Sequence, residues 1–409
     1  MNKSPWKTVR LEKVAEIQTG ISKSASRKLT DPIEVPYLRV ANVQDGHLDL
    51  SVIKHISIER KNLERYTLKT GDVLLTEGGD FDKLGRGTVW NNEIESCVHQ
   101  NHVFSVRTDA SVLLPEFLSI LTASSYGKRY FISCSKQSTN LASINSTQLK
   151  QFPVLLPSLD VQKSIVSASK LWDNAIEKTE ALIAAKEKQF EWLKSQLLLN
   201  NPKSKRWNTN TLGEFIVEKK EKSTTPDLYP CLTSSRRGIF LQEDYFSKQV
   251  ASKDNSGYKI MSRGDFTFRS MSDDGLFVFN KQTIIDKGLI SPAYGVFSPK
   301  QNMDSDFLYY FLNSPAFRQA LSREVQGGTR TALKLNALKK LEVKIPCIQE
   351  QNDIASKLNI AKKEIDLVKE LLEKYRSQKR GLMQKLLTGE WQVSSSQPVA
   401  EDMYQEASA

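Results

Sequence analysis

An amphipathic helix of about forty residues occurs twice in this chain, and that repeat limits the possible folds more than any other feature. The first copy opens at Pro157 and continues through Gln162 and Ile165; the second opens at Pro346 and continues through Gln351 and Ile354. The copies lie 189 residues apart, with no gap in register. In the second copy apolar residues fall at Ile354, Leu358, Ala361, Ile365, Val368, Leu372, Tyr375, Leu382 and Leu386, with Lys379 in the same frame. Alternating steps of four and three make this a heptad seam. The first copy keeps the frame at Ile165, Ser169, Trp172, Ile176, Thr179, Ile183, Lys186, Phe190, Leu193 and Leu197, with three polar interruptions. A helix of this length spans about 60 Å at 1.5 Å per residue and cannot bury its seam inside a small globule. The economical solution packs the two copies against each other, antiparallel; a coiled coil between two chains is the alternative. Polar seam residues either fix the register or mark where the seam leaves its partner. Gly381 signals close approach or a local weakening of the helix.

A chain of 409 residues is too long for one ordinary core. Each helix follows a stretch of roughly 150 residues, and the two stretches rhyme. Trp6 to Leu11 and Trp207 to Leu212 share a Trp-x4-Leu start. Gly71-Asp72 and Gly264-Asp265 each feed an apolar run, the mark of a tight turn entering a strand. The expected class is α+β: two α/β domains separated by two long helices packed as an antiparallel coiled coil, with a pseudo-twofold internal repeat. The expected divisions are residues 1–159 and 201–348 for the globular domains, 160–200 and 349–388 for the helices, and 389–409 for a disordered acidic tail.

Net charge is +11, and the last twenty residues contribute four acids and no base, so the body carries about +15. A basic body favours a polyanionic partner, most often nucleic acid. No window approaches 18 uncharged apolar residues and the N-terminus lacks a signal-peptide core, so no membrane association is expected. The four scattered cysteines form no CxxC pair, which points to reduced thiols and a cytoplasmic location. There is no phosphate-binding glycine loop, no amino-methyltransferase tetrapeptide and no nuclease spacing of acids. His99 and His102 have the spacing of two metal ligands, but without further ligands nearby a turn or a polar DNA-facing loop is the better reading.

Two variable halves, each followed by a long helix opened by Pro-x4-Gln-x2-Ile and closed by Leu197-Leu198 or Leu386-Leu387-Thr388-Gly389, resemble the specificity subunit of a type I restriction–modification system. The resemblance covers residues 1 to about 391, and Leu74 to Asp80 and Thr233 to Arg236 also look like pieces of its target-recognition domains. The first helix departs from the pattern, ending Leu198-Leu199-Asn200-Asn201. The resemblance implies a non-catalytic, sequence-specific subunit. Each target-recognition domain would read one half of a bipartite site in double-stranded DNA, and the helices would set the spacer. About 60 Å of rod would cover roughly 18 base pairs. Two modification subunits would supply adenine methylation with S-adenosylmethionine. Two restriction subunits would supply ATP- and Mg-dependent translocation and cleavage. No cofactor is expected on this chain. The competing classes are a coiled-coil adaptor and a self-sufficient DNA-modifying enzyme.

Arg and Lys read guanine, Asn and Gln read adenine, and carboxylates accept from cytosine N4. In the first half the DNA-binding candidates are Lys23 and Arg27, then Arg39, Asn42 and Gln44, then Glu77, Asp80, Lys83 and Arg86 in a Gly-rich loop, and finally Gln137 and Asn140. In the second half they are Ser234, Ser235, Arg236, Arg237, Arg269, Ser270, Thr329 and Arg330, with Arg269 directly following an apolar strand as Glu77 does in the first half. Candidate subunit-interface anchors are Trp172, Phe190, Trp192 and Tyr375. Trp172 and Tyr375 lie on the seam, where packing within the rod is the simpler role.

Overall fold

The computed structural model describes residues 6–22, 29–79, 84–137, 142–199, 201, 207–246, 254–324 and 331–392. The expected tail from residue 393 lies outside them. The chain divides into two compact units, Met1–Thr179 with Leu371–Ala409, and Glu180–Glu370. The long helices run Leu159–Leu198 and Ile348–Thr388, so the division cuts both, and each unit contains one globular half and a stretch of each helix.

In the first unit a four-stranded antiparallel sheet has the order Ala15–Thr19, Val103–Thr108, Val73–Thr76, Gly87–Val89. Lys7–Arg10 pairs with Pro153–Leu156, the strand that leads into the first long helix. In the second unit the corresponding sheet has the order Ile216–Glu218, Tyr294–Pro299, Phe266–Arg269, Asn280–Lys281. There Asn208–Thr211 pairs with Glu342–Ile345 ahead of the second long helix. The repeat seen in the sequence is therefore a repeat of strand order.

The Gly-Asp turns explain why these central strands start where they do. Gly71 and Gly264 both have φ +90°, a left-handed backbone that glycine adopts without a Cβ penalty. The following Asp72 and Asp265 are buried, and each caps its own turn by accepting from the amide of Lys69 (3.0 Å) or Ser262 (2.7 Å). Asp72 also takes two bonds from Arg107, at 2.8 and 2.7 Å, and one from Ser105 at 3.0 Å. Asp265 takes one from Ser298. A buried carboxylate without such donors would be strongly destabilising.

Each globular half shares its core with both helices. In the first unit Ile165 and Val166 of one helix and Met383, Leu386 and Leu387 of the other close a core containing Phe104, Phe117, Phe131 and Phe152. In the second, Leu198, Ile354, Ala355 and Leu358 join Phe266, Phe268, Phe279, Phe297 and Phe307. Within each unit the helices run antiparallel. Trp172 meets Tyr375 edge-on at 5.8 Å and Asp173 pairs with Lys379 in the first unit. Lys186 pairs with Glu364 and Glu187 with Lys369, both at 2.6 Å, in the second. Every seam position is buried or half-buried.

Of the four polar seam positions, two cross to the other helix and two are satisfied along their own. Lys186 and Lys379 lay their stems along the seam and reach acids on the other helix. Thr179 returns its hydroxyl to the Ala175 carbonyl at 2.7 Å. Ser169 bonds Asp173 at 3.4 Å. Gly381 is exposed, and a Cβ placed there would meet nothing within 4 Å, so close approach is not its role.

The glutamine near the start of each helix joins helix to globule. Gln162 is fully buried; its amide donates to Val112 O (2.9 Å) and Pro157 O (3.0 Å) and accepts from Leu114 N (2.9 Å). Gln351 repeats the pattern with Asn302 O (3.2 Å), Pro346 O (2.9 Å) and Asp304 N (2.8 Å). Gln351→Leu keeps the volume but strands one buried donor and two acceptors. It is expected to destabilise the second unit by about 3 kcal/mol, read as a lower urea midpoint, and an unchanged midpoint would show that water replaces the amide. Gly381→Ala is expected to raise stability by about 0.5–1 kcal/mol in the same titration, because it removes backbone freedom without a clash.

Candidate nucleic-acid interface

In the first unit, strand Pro32–Leu38 lies between Lys54–Glu59 and Val98–His99, parallel to the latter. Its end delivers Arg39 beside the turn at residues 100–102, where Gln100 N donates to Leu38 O at 2.8 Å. Three candidates here close their own loop. Arg39 Nη2 donates to Val52 O (3.1 Å), and Gln44 Nε2 donates to Ala41 O (2.7 Å). Asn42 is buried, with its amide donating to Asp49 O (2.8 Å) and Val52 O (3.1 Å) and accepting from Arg39 N (3.0 Å). Asn42 thus shapes the loop from inside and presents no edge at the surface. The loop reaches the neighbourhood of Arg86 through Gly46 N, which donates to Gly87 O at 3.0 Å.

Glu77 follows the central strand Val73–Thr76 and pairs through its carboxylate with His102. Ala142–Ser143 crosses so closely that a Cβ on Gly78 would lie 2.7 Å from Ala142 O. Gln137 lies on the adjoining strand Lys136–Gln137. The two histidines separate. His99 is buried, its Nδ1 lies 2.7 Å from Val103 O, and burial pulls its pKa down toward the neutral form. Among the described residues no group of three or more His, Cys, Asp or Glu is placed to hold a metal ion.

The second unit builds its counterpart differently. A hairpin pairs Leu232–Ser235 with Gly238–Leu241, leaving Arg236 and Arg237 as the two residues of its turn. Gly238, at φ +127°, lets the chain reverse. Asn280 ties the hairpin to the sheet, its amide donating to Ser234 Oγ (2.8 Å) and Ser235 O (2.7 Å). The Tyr294 hydroxyl adds a bond to Ser234 O at 3.3 Å. Arg236 Nη2 pairs with Asp274 Oδ2 at 2.6 Å; this contact, then the Leu276 amide and Ser272, holds the Asp274 carboxyl down at about 2. Arg237 lies over the rings of Phe240 (6.0 Å) and Tyr245 (5.3 Å), and its hydrogen bond, with one from Ser235, lowers the pKa of the Tyr245 hydroxyl.

Arg269 ends the central strand opposite Tyr294 and is exposed. Unlike Glu77, it belongs to the strand and does not follow it. Glu77 O accepts from Ile144 N (2.8 Å) as Ser270 O accepts from Leu333 N (2.9 Å), so Ser270 is the counterpart of Glu77. Arg269 corresponds to Thr76, the last residue of its strand. One residue of slip turns a side chain to the other face of a strand.

Lys23, Arg27, Asp80, Lys83, Asn140, Thr329 and Arg330 lie outside the described residues. Sequence reading missed Asp274, Asn280, Tyr245 and Tyr294. An acidic pair, Asp273-Asp274, on a loop of a basic chain was the available signal. Asn280 and Tyr294 act through partners 46 and 60 residues away and leave no local pattern.

Three of the four interface candidates are half-buried within the units: Trp172 against Tyr375, and Phe190 against Tyr310 at 6.1 Å. Trp192 is exposed. Off the seam, Leu171 and Ile360 are 72% and 68% exposed, and Leu182 and Leu371 are exposed as well. Leu171 and Ile360 share the 189-residue offset, as do Leu182 and Leu371. Each unit therefore carries the same pair of bare apolar side chains.

A family model for the type I restriction modification DNA specificity domain matches residues 3–188 and 204–374. A Methanocaldococcus jannaschii protein assigned as the MjaX specificity subunit of a type I restriction enzyme is 23% identical over 420 residues, covering 95% of this chain and 94% of its own. The EcoKI specificity subunit of Escherichia coli K12 is 25% identical over 166 residues, 40% of this chain and 35% of its own. Among solved structures, a chain from the type I restriction–modification system superposes with a TM-score of 0.63 at 16% identity, covering 96% of this chain and all of that one. The HsdS subunit of Thermoanaerobacter tengcongensis gives 0.53 at 14% identity, covering 96% and 99%. At these identities the structural likeness speaks for the fold. The two matched stretches take in both globular halves and most of both long helices, and the chain belongs to the type I restriction modification DNA specificity family.

Proposed function

We propose that this protein is the non-catalytic subunit that gives a type I restriction–modification complex its DNA sequence specificity, each unit reading one half of a bipartite site. The observation that carries this reading is the pair of matching sheets with unlike edges. The matching four-stranded sheets deliver Glu77 and Arg86 in one unit and Arg269 in the other, and separate smaller sheets contribute Arg39 to the first unit and Arg236 and Arg237 to the second. A common scaffold with different donors and acceptors is what two readers of different base sequences need. The positive net charge supplies the attraction to phosphate that any such reader requires. An adaptor without a DNA role would have no use for two divergent edges of this kind. No helix among the described residues is long and apolar enough to cross a membrane.

Adenine methylation with S-adenosylmethionine and ATP- and Mg-dependent cleavage belong, in this reading, to two modification and two restriction subunits. The repeated apolar pairs favour two equal partners. Leu171 with Leu371 in one unit and Ile360 with Leu182 in the other offer two copies of one docking surface. Bare Leu and Ile side chains repeating in register while seam positions drift to Ser, Thr and Lys fit an external partner better than chance.

The reading is tested by selecting bound sites from random duplexes with the full chain and its modification subunits. Two short half-sites at a fixed gap are expected; recovery of no bipartite motif at moderate salt would refute it. Arg269→Ala is expected to relax one half-site by about 1–3 kcal/mol per base contacted and leave the other intact, measured by competition against single-base variants. The double change Leu171→Asp and Ile360→Asp is expected to lower the number of modification subunits bound, measured by analytical ultracentrifugation, with circular dichroism unchanged. Full binding by that variant would place docking elsewhere.

A further inference from the structure

Arg236 and Arg237 are consecutive in sequence and receive different treatment in the structure. Arg237 is laid on two aromatic rings, while Arg236 projects from the turn and is caught by Asp274 at 2.6 Å. The acid is itself fixed. Its Oδ1 accepts from Ser272 Oγ at 2.9 Å and Leu276 N at 3.2 Å, which leaves Oδ2 directed at Arg236. The other end of the pair is fixed as well, because Asn280 anchors the hairpin through Ser234 and Ser235. Both partners are thus tied to the sheet by groups other than each other. For an exposed surface pair this is unusual support, since a lone exposed pair contributes little to stability.

An arginine at the tip of a two-residue turn, left alone, sweeps a wide volume and binds whichever phosphate it reaches. That contact raises affinity for every sequence alike. Reading a guanine through its O6 and N7 requires the planar fork to arrive in one orientation. A fixed carboxylate on one terminal nitrogen of the guanidinium restricts that orientation and competes with phosphate for the same charge.

We propose that Asp274 is a positioning residue for sequence discrimination: by holding the Arg236 guanidinium it converts a general phosphate contact into a base-reading one. This inference rests on the reading that the second unit contacts one half-site through its hairpin edge.

The test uses the full chain assembled with its modification subunits. Binding is measured to the selected site, to variants of each half-site and to random duplex, as a function of salt. Asp274→Asn preserves shape and the Ser272 contact but removes the charge. It is expected to bind random duplex at least as well as the parent, with a salt slope steeper by about one counterion as Arg236 becomes available to phosphate. Discrimination at one half-site is expected to fall about tenfold, with the other half-site unchanged. Arg236→Ala should lower the same discrimination, and adding Asp274→Asn to it should lower it no further. Unchanged discrimination in Asp274→Asn, or an equal loss at both half-sites, would overturn the positioning role. If the parent complex selects no half-site at all, the DNA-reading assignment of this edge fails instead.

Discussion

Ten positions along each long helix are buried or half-buried, and the ends of the seam join the core of a globular half: Ile165, Leu382 and Leu386 in the first unit, Phe190, Leu193, Leu197, Ile354 and Leu358 in the second. Burying an apolar side chain of this size contributes about 1.5–3 kcal/mol, so the seams represent a large share of what holds either unit together. The three polar interruptions are accommodated locally. Thr179 and Ser169 satisfy themselves along their own helix, and Lys186 crosses to an acid. None of these bonds needs to contribute much stability, because an offset by one heptad would strand Lys186 away from Glu364 and Lys379 away from Asp173. The buried glutamines then convert helix position into globule position, since each binds the turn ahead of a short helix in its own half.

On that frame the two halves differ where difference is tolerated. The four-stranded sheets and the Gly-Asp turns are shared, because each is fixed by buried groups: a left-handed glycine, a capped aspartate, a cluster of phenylalanines. The edges are free to vary. The first unit joins strands Pro32–Leu38 and Lys54–Glu59 through a long loop that closes around Asn42. The second has a hairpin with a two-residue turn. A long loop and a tight turn present different functional groups over similar sheets, which lets one architecture serve two base sequences.

The repeat, the helices and the Gly-Asp turns are legible in the sequence because each is set by neighbours a few residues apart. The candidate edges are legible as regions but not as individual roles. Asn42 looks like an adenine reader by residue type, yet its neighbours at Asp49 and Val52 turn its amide inward. Arg269 reads as a residue that directly follows an apolar strand, as Glu77 does, but it is the last residue of that strand and Ser270 stands where Glu77 does. Gly381 resembles a close-packing glycine in sequence, but the space around it is open. Trp172 and Tyr375 fall on the seam by heptad spacing, and their edge-on contact agrees with that placement. For Asn42 the deciding partners are set by the fold of the loop and leave no periodic trace.

The division of the chain has a consequence for how it is made. The second unit is one continuous run, Glu180–Glu370, whereas the first needs Met383, Leu386 and Leu387 to close a core begun by residues before Thr179. At about 5–20 residues per second, roughly 10–40 s of synthesis separate Ile165 from the side chains that cover it. Through that interval the earlier half waits with an apolar face open, and the later half has all its own contacts in hand first. Its closure is also the step with the longest loop, so its entropy cost arrives late and all at once. The half that is first in sequence is the last to be completed.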